Sequence, residues 1–372
     1  MKNLFLLFIW SLFFVSCAEF KAYTHQDAVV LKDSIVHFST DKMEAITINI
    51  DGVPHNFQYD TGAGVTVIYN PKFNLEKQQK IRERTIYGFD KKVNSTITTY
   101  VIDSMASESF VSLRKYLAVG ATPKSYCETA FKFDGIVDRF VPNLDAATEL
   151  NYEKGFIRFT TKPDLTGFIP LEAKFTEYNG IFYIKMSING ITDFFMFDTG
   201  NQLATLVNKN LYKLENPLYT LHNLNTVVGG DAVPFELQIF PANCSLKDFK
   251  FQCMVAIDER SERSILNFNF IKQFNWIIDQ KNNLVYFKPI RPEQLQSTKE
   301  IVRPENIAMA AISNDKLIVG YLNFESEKWH LGEQIVSVDG TTVGPENMCY
   351  FLFKLNLDRD WSAHNVITAA NN

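Results

Sequence analysis

Apolar residues recur at every second position in two widely separated stretches: Ile46, Ile48 and Ile50, then Ile184, Met186 and Ile188. A period of two sends alternate side chains to opposite faces, so each stretch predicts a half-buried β-strand. Each is followed by a turn signal, Asp51-Gly52 or Asn189-Gly190, residue pairs that suit the tight turn of a β-hairpin. A second strand is predicted beyond it, Asn56 to Tyr59 or Phe194 to Phe197, running straight into Asp-Thr-Gly. A third apolar run follows, Val65 to Tyr69 or Leu203 to Val207. Further hairpins are predicted over Leu150 to Phe159, turning at Lys154-Gly155, and over Ile278 to Phe287, turning at Asn282-Asn283.

The two series are copies of one another. At a constant offset, Phe57 falls on Phe195, Tyr59 on Phe197, Asp60-Thr61-Gly62 on Asp198-Thr199-Gly200, Ile68 on Leu206 and Asn70 on Asn208, with no gap needed. The closing hairpins extend each unit to roughly 110–120 residues, a duplicated domain and not a solenoid. A lone Asp-Thr-Gly is an ordinary turn sequence. Two in the same strand frame are not, and each places an aspartate at a sharp turn between strands, with glycine expected to supply backbone freedom.

The pattern changes outside the repeat. Residues 18–40 carry no clear periodicity and read as a tether with a first strand. After Pro289 the chain turns to proline and charge, a linker over 291–304. Residues 305–372 then carry Lys316 to Gly320 and Leu331-Gly-Glu-Gln-Ile-Val-Ser-Val-Asp-Gly340, followed by a gapped apolar helix, Met348 to Leu355. The Leu331–Gly340 string resembles the PDZ-domain element Leu-x-x-Gly-Asp-x-Ile, with Glu333 at the Asp position. A PDZ-like module implies capture of peptide termini by strand addition; the alternative is a small β-rich appendage packed on the repeats.

At the other end, Lys2 precedes an apolar run, Leu4 to Val15, that is short for a bilayer span. It closes on Phe14-Val15-Ser16-Cys17, which resembles a bacterial lipobox. Residues 1–17 are then a lipoprotein signal peptide and Cys17 the lipidated residue, giving a membrane anchor and a periplasmic or outer-membrane location in the cell envelope. The alternatives are secretion after cleavage at Ala18 and a buried N-terminal helix.

Composition narrows the function classes. The chain has 372 residues, 46% hydrophobic and 21% charged, too apolar for global disorder. Thirty-seven basic against 42 acidic residues leave a net charge of −5, which argues against nucleic acid as a partner. The 32 Phe and 15 Tyr suit a β-rich protein. Cysteines and histidines stand singly, without metal-ligand spacing, and no metal or other cofactor is expected. Beyond Cys17, Cys127, Cys244, Cys253 and Cys349 permit disulfides in an oxidising compartment; Cys244 and Cys253 either face each other across a hairpin or remain buried thiols.

Two β-rich units that each present Asp-Thr-Gly after a hairpin resemble the lobes of pepsin- and retropepsin-like aspartic proteases, and Phe57-Gln-Tyr-Asp-Thr-Gly-Ala63 resembles the retropepsin signature. The resemblance covers roughly residues 41–290, as lobe one over 41–162 and lobe two over 166–290. It implies a mostly β, bilobal acid-protease fold of two barrel lobes, with a small PDZ-like α/β domain appended. It also implies an endopeptidase acting on peptide or protein substrate. Asp60 and Asp198 are its catalytic pair, because two carboxylates held together share one proton and so supply a base and an acid at once. Thr61 and Thr199 would brace the pair, and Gly62 and Gly200 would let the backbone approach it. Flap hairpins are implied at Thr85–Asp90, with Tyr87 and Gly88 at the tip, and at Thr226–Asp231, with Gly229 and Gly230.

Three positions depart from that pattern. Asp138 and Asn267 stand where a late glycine is expected, and both tolerate left-handed backbone better than most residues. Asn201 follows Gly200, where a smaller residue is usual. These departures support the alternative of a catalytically inactive, peptide-binding lipoprotein. A structural lipoprotein with chance turns leaves the repeat unexplained.

Overall fold

The computed structural model describes residues 29–32, 34–38, 45–69, 71–87, 94–120, 133–138, 146–176, 181–201, 204–225, 233–258, 262–296, 308–313, 315–322, 326–358 and 360–369. It is mostly β, 56% strand and 8% helix, with two closed barrels of six strands.

Each barrel is seeded by one of the sequence-predicted hairpins. Ala45–Ile50 pairs with Val53–Tyr59, and Phe182–Ile188 with Ile191–Phe197. Asp51 and Gly52 take φ of 48° and 82°, and Asn189 and Gly190 take 50° and 83°. Two successive positive φ values make a primed turn, whose twist matches that of the flanking strands. Alternation then decides which face is buried: Ile46, Ile48 and Ile50 point inward, as do Ile184, Met186 and Ile188.

The second strand of each hairpin gains a parallel neighbour from late in the same repeat. Gly135–Val137 lies beside Phe57–Tyr59, and Ser264–Leu266 beside Phe195–Phe197. Short strands Val67–Ile68 and Thr205–Leu206 pair antiparallel with those neighbours. The long hairpin arms complete the barrels: Gln79–Tyr87, Asn94–Ala106 and Phe110–Gly120 in the first, and Tyr219–Asn225, Val233–Leu246 and Phe249–Ile257 in the second. Within the segment before the first repeat, Val29–Leu31 pairs with Phe110–Ser112 of the first barrel.

The two closing hairpins pair with each other. Thr148 lies opposite Ile278 and Leu150 opposite Trp276. Ile35–His37 extends this sheet on one side and Ile169–Phe175 on the other, giving six antiparallel strands that join the barrels. Leu150, Ile157, Trp276, Ile278, Val285 and Phe287 are all buried, so the sheet lies in one core continuous with both barrels.

Aromatic rings fill much of that core. Phe182 stacks on Phe197 at 4.8 Å, and Phe197 meets Trp276 edge to face at 5.0 Å. The Trp276 indole N–H donates to the Ile271 carbonyl at 2.8 Å, so its one polar atom is satisfied. Trp276→Ala removes a fully buried ring and deprives the Ile271 carbonyl of the indole donor. A loss of about 3–5 kcal/mol in the free energy of unfolding is expected by urea denaturation.

Cys244 and Cys253 form a disulfide across the hairpin of Val233–Leu246 and Phe249–Ile257. Cys349 is disulfide-bonded as well.

Residues 308–369 build a small separate core from Trp329, Ile335, Val338, Phe351, Leu355 and Trp361. Strands Ala308–Ser313, Lys316–Leu322, Gln334–Val338 and Val366–Ala369 surround helix Met348–Leu357. The domain is joined to the second barrel by strand pairing. Lys316–Leu322 pairs with Tyr219–Asn225 of the second barrel, with Leu322 opposite His222 and Tyr321 opposite Asn223. Among the described residues no helix is long and apolar enough to cross a membrane.

Candidate active site

Asp60 and Asp198 each stand one residue past the end of a barrel strand, Val53–Tyr59 and Ile191–Phe197. The structure brings these two turns together although 138 residues separate them in the chain. The carboxyl groups face each other within hydrogen-bonding reach and both are half-buried.

The surroundings of the two are related by a pseudo-two-fold axis. Oδ1 of Asp60 accepts from the N–H groups of Gly62, at 2.9 Å, and Ala63, at 3.0 Å. Oδ1 of Asp198 accepts from Gly200, at 2.9 Å, and Asn201, at 3.1 Å. Each turn thereby fixes one oxygen of its aspartate with two backbone donors.

The threonines cross between the barrels. Thr61 N–H donates to Thr199 Oγ1 and Thr199 N–H to Thr61 Oγ1, both at 3.1 Å. The hydroxyls donate onward, Thr61 to the Phe197 carbonyl and Thr199 to the Tyr59 carbonyl, both at 2.8 Å. Thr61 and Thr199 are 0% and 1% exposed, so this lattice has no competing water.

The glycines act through space, not through backbone freedom. Neither Gly62 nor Gly200 has a positive φ, which corrects the expectation from the turn sequence. A Cβ on Gly62 would overlap the Asp198 carboxylate, and one on Gly200 would overlap the Asp60 carboxylate. Each glycine makes room for the aspartate of the opposite repeat.

Burial raises both carboxyls above their usual range. For Asp60 the backbone donors of Gly62 and Ala63 and the bond to Asp198 pull the other way, while the charge of Asp138 adds a smaller upward push. Asp198 is raised well above the usual range by burial first, then by the charge of Asp60 and its bond to that carboxyl. Two carboxylates this close cannot both ionise readily, so the two titrate as a coupled pair.

The departures from the glycine pattern are built in. Asp138 accepts from Thr66 Oγ1 at 2.7 Å, and its N–H donates back at 3.3 Å. Asn267 accepts from Thr205 Oγ1 at 3.1 Å and caps helix Phe268–Ile271 by accepting from Phe270 N–H at 3.0 Å. Asn267 has φ −98° and Asp138 has no positive φ. The left-handed backbone that these residue types suggest is therefore absent; their side chains are used as hydrogen-bonding groups. Asn201 keeps its N–H on Asp198 and donates its side-chain amide to the Ala204 carbonyl at 2.8 Å.

Of the predicted flap residues, Tyr87 ends strand Gln79–Tyr87 opposite Asn94. Gly88, Gly229 and Gly230 lie outside the described residues, as does Cys17. The Thr226–Asp231 segment connects Tyr219–Asn225 to Val233–Leu246, which pair up to Asn225 opposite Val233. One neighbour of the pair was not singled out from sequence. Tyr69 is buried, and its phenol is pushed up by burial and then by the charge of Asp60. Its only sequence signal is its place at the end of the apolar run after the first Asp-Thr-Gly.

Among the described residues no group of three or more His, Cys, Asp or Glu is placed to hold a metal ion. The class defined by these features is a mostly β protein of two six-strand barrels, an architecture compatible with a two-lobed protease fold. No family model matches the chain, and no curated protein matches it in sequence.

Proposed function

We propose that this protein is an aspartic endopeptidase, with Asp60 and Asp198 activating one water between the two barrels. The observation that carries the reading is the reciprocal threonine lattice, Thr61 to Thr199 and back, which clamps the two aspartate turns together. A structure indifferent to the pair has no reason to hold two half-buried carboxyls in contact, because burying like charges costs free energy.

In this mechanism the ionised member of the pair takes a proton from the water, whose oxygen attacks the peptide carbonyl. The protonated member hydrogen-bonds the carbonyl oxygen and transfers its proton as that oxygen becomes tetrahedral. Collapse breaks the C–N bond: the amine leaves with the proton first taken from water, and one hydroxyl of the former tetrahedral carbon returns its proton to the pair, which is singly protonated again. No covalent enzyme intermediate forms. The raised carboxyls extend the singly protonated state above the ordinary carboxylate range, so cleavage should persist at higher pH than isolated aspartates allow.

The reading includes an envelope location through lipid at Cys17, and a PDZ-like character for residues 305–372. In a PDZ domain a peptide adds to a strand edge beside a helix. Here Asn356 on helix Met348–Leu357 bonds both backbone groups of Ala310: the Ala310 N–H donates to its Oδ1 at 2.7 Å, and its Nδ2 donates to the Ala310 carbonyl at 3.1 Å. A peptide entering at Ala310 has to displace that amide.

The test is incubation of the soluble chain beginning at Ala18 with a diverse peptide pool from pH 4 to 8. Products are read by mass spectrometry, with and without pepstatin and with EDTA. Pepstatin-sensitive, EDTA-resistant cuts are expected. Absence of cuts across the range, with peptides retained on the protein, sinks the enzyme reading in favour of peptide binding.

A further inference from the structure

We propose that the C-terminal domain is a working part of the two-barrel unit, and that Tyr321 is the positioning residue through which it holds the Asp198 turn. As to cleavage, the inference rests on the peptidase reading; as to structure, it stands without it.

Two independent contacts join the domain to the second barrel. The first is main-chain pairing: Leu322 opposite His222 and Tyr321 opposite Asn223. Strand Lys316–Leu322, paired along its length with Ala308–Ser313, thereby also contacts both the second barrel and, through Ile318 opposite Gln334, a further strand of its own domain. The second contact is made by a side chain. Tyr321 packs against a small cluster of Leu237, Ile239 and Ala256, which are 1%, 3% and 0% exposed and belong to the second barrel. Ala204, Leu206 and Met254 pack against the same cluster.

That cluster is wired to the aspartate. Thr205–Leu206 pairs with Val255–Ala256, and Val207 N–H donates to the Ala256 carbonyl at 2.9 Å. The Ala204 carbonyl accepts from the Asn201 side chain, and the Asn201 N–H donates to Asp198 Oδ1. Tyr321 is thus two packing contacts and two hydrogen bonds from the Asp198 carboxylate. Among the described residues the first barrel closes its equivalent wall from its own repeat: Val67, Tyr69, Ile97 and Ala118 form a separate small cluster there, joined by Val65 and Ile136. Tyr69, the large aromatic of that cluster, senses the Asp60 charge. On the second side the aromatic ring comes from the C-terminal domain instead. The asymmetry explains why the domain is docked through paired strands and not merely linked.

The test compares hydrogen exchange in the full chain for wild type, Tyr321→Ala and Tyr321→Phe. The amides followed are those of Leu206, Val207 and strand Tyr219–Asn225. Tyr321→Ala should speed exchange at these sites about tenfold or more, while Tyr321→Phe, which keeps the ring, stays near wild type. Near-ultraviolet circular dichroism from Trp329 and Trp361 shows whether the small domain remains folded. Met254→Ala enters the same contact from the barrel side and should reproduce the effect with the domain intact. Where the wild type cleaves peptide, kcat should fall in Tyr321→Ala with little change in KM, because the group displaced acts on the turn. If exchange in the second barrel stays within about twofold of wild type in both alanine variants, the inference is overturned. A wild type that cleaves nothing overturns the peptidase reading alone, and the exchange comparison still decides this one.

Discussion

Replacing either aspartate by asparagine should abolish peptide hydrolysis and at the same time stabilise the protein at neutral pH. An amide neither takes a proton from water nor shares one with its neighbour. Loss of the acid–base step alone costs about 10²–10⁴-fold in kcat. The stability effect follows from linkage. Both carboxyls are raised in the folded protein, Asp198 well above its ordinary value of 3.8, chiefly by burial. A raised carboxyl binds its proton more tightly folded than unfolded, so its contribution to stability is greatest below the unfolded value. That contribution is lost as pH climbs from there toward the folded value. Asp198→Asn removes the titration. Its melting temperature should exceed that of wild type at pH 7, and the difference should shrink toward pH 3. Paired melting curves and peptide-cleavage rates across that range check both halves. A variant at Asp60 or Asp198 that cleaves at the wild-type rate refutes the shared-proton mechanism.

Thr199→Val is the second change with a large expected effect. Valine matches threonine in shape but carries no hydroxyl. The Thr61 N–H then loses its acceptor, and the Tyr59 carbonyl loses the Thr199 donor, at a site 1% exposed to water. An unmet buried polar group costs about 1–3 kcal/mol, so a loss of roughly 2–4 kcal/mol in unfolding free energy is expected. Activity should fall with it, because the two aspartate turns are held together across this bond. Thr199→Ser restores the hydroxyl and should recover most of both. The serine variant separates the hydrogen bond from packing: valine and serine variants that behave alike would show that the lattice does not hold the pair.

The candidate pair was legible because the repeat needs no gap around it. Asp60 and Asp198 lie in ungapped register, and the turns before them use residues whose backbone preferences are strong. Asp51-Gly52 and Asn189-Gly190 accordingly adopt the positive φ values their composition suggests. Misreadings arose where a residue type has more than one physical use. Asp138 and Asn267 read as tolerant of left-handed backbone, yet each is used for its side-chain bond to a threonine. Gly62 and Gly200 read both as sources of backbone freedom and as room for the backbone to approach the pair; neither takes a positive φ, and the room each leaves is filled by a carboxylate from the other repeat.

The chain's own pattern carries the strands, their inward faces, the tight turns, the duplication and the two aspartates, because period and turn chemistry are properties of near neighbours and the duplication shows on laying one stretch of sequence over another. Contacts between distant segments leave no such trace. The pairing of the two closing hairpins, the crossing threonine bonds and the docking of Tyr321 on Leu237, Ile239 and Ala256 each join residues dozens to more than a hundred positions apart. Their partners are chosen by which surfaces meet when the barrels pack, and by the need to satisfy buried polar groups once water is gone. The same reason raises the two carboxyls: each turn alone is an ordinary solvated aspartate, and the shift in both exists only after folding has buried them together.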